Sequence, residues 1–117
     1  MTATELRAIV TEEVEAAMKA DGVWPEPLRY GIRFERHGTE SDWYDGVIRI
    51  GADFAESLLA WPLVKWLAGR DGVDWVEVSN HPPHVGIERD YDTAVGKIGS
   101  TYFTALVAAY MAERGRK

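Results

Sequence analysis

Cysteine is absent, so the chain can build neither a disulfide framework nor a thiolate metal cage. No apolar run approaches the roughly 18 residues that a membrane span requires. Met1-Thr2-Ala3-Thr4-Glu5 offers neither the basic start nor the apolar core of a signal peptide. Positive charge is scarce, with 13 Lys and Arg against 19 Asp and Glu and a formal net charge of -6. Binding to a phosphate backbone depends on clustered Lys and Arg, so this balance disfavours nucleic acid as a partner. An acidic surface suits a basic protein instead. The expectation is a soluble cytoplasmic protein with no membrane partner and no cofactor.

What is present describes an ordinary globular chain. At 117 residues, 46% hydrophobic and 27% charged, it can bury one core and is expected to form one domain over residues 1–117. Five Trp are many for this length, and Trp belongs both in cores and in interface hot spots.

The spacing of Leu6, Ile9, Val10, Val14, Ala17 and Met18 predicts a helix over Thr2 to Ala20, with Thr2 and Glu5 forming a capping box and Asp21-Gly22 ending it. Leu28 to Glu35 alternates as a half-buried strand, His37 to Asp42 reads as a loop, and Trp43 to Ile50 is the returning strand. Asp53 is a plausible N-cap for a helix to about Ala68. Pro62 should kink or split that helix, because proline lacks an amide and clashes with the preceding turn. Trp61, Trp66, Tyr102, Phe103 and Tyr110 sit at helical spacings and are expected in the core.

Val73 to Asp92 reads as two strands joined by a His-Pro-Pro-His turn, with Val76 and Val78 pairing against Val85, Ile87 and Tyr91. A loop from Asp92 to Gly99 and a last helix from about Ser100 or Thr101 complete the chain, with a frayed basic tail from about Arg114. The order is helix, hairpin, helix, hairpin, helix. Residues 28–69 and 73–115 read as two strand-strand-helix units. The simplest layering is an α+β fold, one four-stranded, mainly antiparallel sheet with helices packed on one face.

Several residues could carry chemistry. His81 and His84, three apart at a hairpin tip, are candidate metal ligands. Glu88, Asp90 and Asp92 alternate along a strand and could meet a basic partner. Trp24, Trp43 and Tyr44 lie beside prolines or a polar loop and are harder to bury, which makes them interface candidates. Gly96, Lys97, Gly99, Ser100 and Thr101 precede a helix, where free amides and the helix dipole can hold an anion. Val95-Gly96-Lys97-Ile98-Gly99 is also similar to the GXXG loop of KH RNA-binding domains over about seven residues, which would imply RNA binding.

No catalytic triad, zinc-protease helix or paired-carboxylate pocket presents itself, so an enzyme is not expected. The chain reads as a small acidic protein-binding module, an inhibitor, immunity, chaperone or phage-type assembly factor. The alternative is a small-molecule or anion-binding protein, or a small enzyme, with its site near the His-Pro-Pro-His turn and the Gly96 to Thr101 loop. A small sheet with one apolar face gains by pairing, so a homodimer is a further expectation.

Overall fold

The computed structural model describes residues 2–28, 33–37, 40–45, 48–50, 52–89 and 95–116, with side chains for residues 2, 4–28, 52–89, 97 and 99–116. The elements in order are α1 (Ala3–Ile9), α2 (Glu12–Ala20), a 3-10 turn (Glu26–Leu28), β1 (Arg33–His37), β2 (Glu40–Asp45), β3 (Ile48–Ile50), α3 (Ala52–Ala68), β4 (Val73–Asn80), β5 (Pro83–Arg89), β6 (Val95–Ile98) and α4 (Tyr102–Arg114). Contacts group them into two compact units, Met1–Pro62 and Leu63–Lys117.

The class is α+β, but the single four-stranded sheet is corrected to two three-stranded antiparallel sheets, β1-β2-β3 and β4-β5-β6. Each expected hairpin gains a third strand. Trp43 to Ile50, expected as one strand, contributes to two, β2 ending at Asp45 and β3 beginning at Ile48, and Val95–Ile98, expected as loop, pairs with β5. The expected pair of strand-strand-helix units becomes strand-strand-strand-helix in both places.

In the first unit, the expected single helix over Thr2 to Ala20 is two helices. The capping box forms as expected, with the Glu5 amide donating to Thr2 Oγ1 and the Thr2 amide to Glu5 Oε1. Ile9-Val10-Thr11 is a run of β-branched residues that disfavours helix. Thr11 then acts as a second N-cap, its hydroxyl accepting from the Val14 amide while Glu12, Glu13 and Glu15 fill the first turn. The break keeps Leu6, Val10, Val14 and Met18 buried together. Glu15 joins the two helices, receiving Arg7 at 2.9 Å and Lys19 at 3.1 Å. Burial pushes its carboxyl up, yet those hydrogen bonds and charges outweigh burial and hold it below the ordinary value.

At the end of α2, Gly22 takes a φ of 72°, the Val23 amide bonds the Met18 carbonyl and the Gly22 amide the Lys19 carbonyl. This is a Schellman closure. Leu28, expected to open a strand, lies instead in the 3-10 turn and is fully buried. The loop expected at His37 to Asp42 is largely strand, β1 reaching His37 and β2 starting at Glu40. Helix α3 begins one residue before Asp53, so Asp53 belongs to its first turn rather than capping it, and the helix continues through Pro62 without a split.

The second unit is built around α4. Phe103 and Tyr110 are buried as expected, whereas Tyr102 is half-buried; Ala105, Leu106, Val107 and Ala109 are buried as well, so the helix is enclosed on more than one side. It lies against β5 and β6 and the near side of β4. Val85 and Ile87 on β5 face it, with Val78 and Val76 as their register partners on β4, as the sequence spacing predicts.

Among the described residues the one charged side chain that is buried is that of Glu113. Arg89 grips it with both terminal nitrogens, at 2.9 and 2.8 Å, and gives its Nε–H to the Asp71 carbonyl at 3.2 Å. Arg70 donates to the Glu113 carbonyl at 3.2 Å and lies 4.5 Å over the Trp66 ring, which meets Tyr110 edge-on at 4.7 Å. The residues after α3, the end of β5 and the end of α4 are thus held by one network. Trp66 is half-buried, as this position requires.

The Arg89 hydrogen bonds hold the Glu113 carboxyl below its ordinary 4.5; burial opposes them, and the charges of Arg89, Arg116 and Arg70 assist. The folded state therefore keeps Glu113 ionised to lower pH than the unfolded chain does. Its stabilisation is complete above about pH 4.5 and is lost as the pH falls through the folded pKa. Glu113→Gln should lower the urea-unfolding free energy near neutral pH by roughly 3 kcal/mol. The gap from the parent should narrow once the pH is well below 4.5; a gap constant with pH would show that the charge is not the contributor.

Candidate functional site

The alternation of strand residues divides the β4-β5-β6 sheet into two chemically different sides. Val76, Val78, Val85, Ile87, Arg89 and Lys97 share the side that α4 covers, as their pairings require. Trp75, Glu77, Ser79, His84 and Glu88 share the other. Trp75 stands directly across from Glu88, and Glu77 follows two residues along β4. Trp75 is 61% exposed and the Glu77 side chain is also 61% exposed.

β4 forms one edge of its sheet, bonded among the described residues to β5 alone. Five of its residues, Asp74, Trp75, Glu77, Val78 and Asn80, are exposed, and Val73-Asp74-Trp75-Val76-Glu77-Val78-Ser79-Asn80 contains no basic residue. A register shift between Val73 and Trp75 bends the start of the strand. The result is a rim carrying one large aromatic and a concentration of carboxylates.

The two histidines do not converge. His84 donates from Nδ1 to the Pro82 carbonyl at 3.0 Å and turns Nε2 toward Glu77 Oε1 at 3.7 Å. The exposed His81 uses its backbone amide on Ser79 Oγ. Among the described residues no group of three or more His, Asp or Glu is placed to hold a metal ion.

The expected glycine loop is corrected in the same region. Gly96 and Lys97 belong to β6, opposite Gly86 and Val85, so the GXXG-like run is a strand rather than a loop. It does adjoin the His-Pro-Pro-His turn, because the Gly99 amide donates to the Pro83 carbonyl at 3.3 Å. The start of α4 is already capped from within: Thr101 Oγ1 accepts from the Thr104 amide at 3.1 Å and meets Thr104 Oγ1 at 3.0 Å, with Ser100 beside them. The hydroxyls that would have held an anion serve the helix instead.

The other partner-facing candidates fall out unevenly. Trp24 is half-buried, its indole N–H bonded to the Leu28 carbonyl and Lys19 5.5 Å over its ring, which ties it to its own segment. Trp43 and Tyr44 are described in backbone only, opposite Phe34 and Arg33 in β1. Asp90, Tyr91 and Asp92 lie outside the described residues. Trp61, expected in the core, is 65% exposed, and Phe54, one face of α3 and seven residues earlier, is 60% exposed.

Trp75 is the residue that the sequence reading passed over. Its signal was present, since placing Val76 and Val78 in the core puts Trp75 and Glu77 on the opposite face by parity.

On the α4 side an open groove of about 220 Å³ is lined by Ile87, Lys97, Ala109, Ala112, Glu113 and Arg116. Its floor is apolar and Lys97 is exposed at its rim. Arg116 stands 3.7 Å from a Glu113 carboxylate that Arg89 already holds.

Gly99 owes its identity to close packing. A Cβ there would meet the Ala105 amide nitrogen at 2.7 Å and the Thr104 Cβ at 2.9 Å. Gly99→Ala should therefore lower the urea midpoint, at a cost of about 1 to 3 kcal/mol, whereas an unchanged midpoint would mean that the turn relaxes freely. Comparison with protein-family models, with curated proteins and with solved structures finds no match to this chain.

Proposed function

We propose that this chain is a small, non-enzymatic protein-binding module that receives a basic partner on the β4 rim. The observation that carries the reading is Trp75, exposed on an edge strand with Glu88 across from it and Glu77 on the same face. Trp is among the residues most enriched at the energetic centres of interfaces. Carboxylates around it favour Arg or Lys, whose side chain can lie on the indole while its charge meets the acids. The excess of 19 acidic over 13 basic residues attracts such a partner at longer range.

A peptide alternating Arg and Thr is a suitable probe, titrated calorimetrically. Trp75→Ala should weaken it about tenfold, and Glu77→Lys should weaken it more than Glu13→Lys, which makes the same charge change on α2. Equal binding by Trp75→Ala and the parent, or equal effects of the two Lys variants, would overturn the assignment of the rim.

The groove beside α4 favours a second reading, a site for a small carboxylate with an apolar body, seated on Ile87, Ala109 and Ala112 with Lys97 at its charge. Octanoate should then shift the methyl NMR signals of Ile87, Ala109 and Ala112 saturably, and Lys97→Gln should weaken it severalfold. Signals that do not move would dismiss the groove.

A further inference from the structure

We infer that the partner binds β4 by strand addition, as an extended basic segment that continues the β4-β5-β6 sheet. The inference rests on the rim reading above and adds the manner of recognition. An edge strand presents a row of backbone donors and acceptors ready to pair with another chain. β4 is eight residues long, and among the described residues β5 is its only ladder partner.

The ladder also indicates which groups of β4 face outward. The Pro83 carbonyl accepts from Gly99 beyond β6, so the backbone groups of Pro83, Val85 and Ile87 address the β6 side. Successive residues alternate sides in an antiparallel ladder. Their register partners Val78 and Val76 then direct N–H and C=O away from β5, toward the open edge. An incoming strand would pair there, passing Trp75 and Glu77 on one face and the 39% exposed Val78 on the other.

Charge decides the occupant. Exposed edges are ordinarily guarded by Lys, Pro or charge; between Val73 and Asn80 there is no Lys and no Pro, only Asp74 and Glu77. Two copies of this strand would bring acids against acids, which opposes self-pairing. A strand with Arg or Lys at alternate positions meets Glu77, Glu88 and the Trp75 ring with opposite charge.

Strand addition has a signature that binding to the face alone does not share. In the Arg-Thr peptide, amides alternate between facing β4 and facing away. N-methylation of one alternate set should abolish binding, and N-methylation of the offset set should leave it within about twofold. The bound peptide should also slow hydrogen exchange at the Val76 and Val78 amides by tenfold or more. If both methylated peptides bind like the unmodified one and these amides stay unprotected, strand addition is overturned while the rim reading survives. If the unmodified peptide does not bind, both are overturned.

Discussion

The bidentate grip of Arg89 on Glu113 is the constraint from which the second unit takes its form. A carboxylate inside a protein is tolerable only when paired and hydrogen-bonded, and here both oxygens are engaged at 2.8 to 2.9 Å. Because Arg89 ends β5 and Glu113 lies in the last turn of α4, the pair fixes the register of the strand under the helix. A slip of one residue would move every β5 side chain to the other face. Val85 and Ile87 are therefore held inward, and by the same parity Trp75 and Glu77 on β4 are held outward. The buried pair and the exposed rim are two consequences of one register.

Polar side chains that look available in the sequence are mostly consumed by local structure. Thr2, Thr11 and Thr101 each cap a helix, and Trp24 bonds the carbonyl four residues on. His84 is engaged by the turn that carries it. The run from Gly96 to Thr101 is the clearest case: three residues in a strand, a glycine pressed against α4, and hydroxyls facing their own helix. Trp75 and the Glu77 side chain, though the latter lies near His84, remain exposed to water.

The edge strand shows how a small sheet can be both protected and receptive. Acids at Asp74 and Glu77 and the bend at the start of β4 discourage pairing with another copy. In the proposed strand addition the same acids would complement a basic strand, so one feature would serve exclusion and recognition. On the opposite side the Lys97 groove has the reverse chemistry, an apolar floor with positive charge at the rim.

By itself the sequence determined the Thr2–Glu5 capping box, the start of α4 near Thr101 and part of its core, the β4–β5 hairpin with its valine pairing, and the acidic balance of the chain. These rest on local spacing and on side chains that bond their own backbone. What depends on distant pairing is not legible in it: Gly96 and Gly99 suggest turns where β6 runs, and Trp43 to Ile50 reads as one strand where β2 and β3 are two, so a single sheet is the simpler expectation. Only the tertiary structure decided that Trp75 and Trp61 stand in water while Trp66 folds under Arg70. Periodicity says which residues share a face, but whether a face is covered depends on what the rest of the chain brings to it.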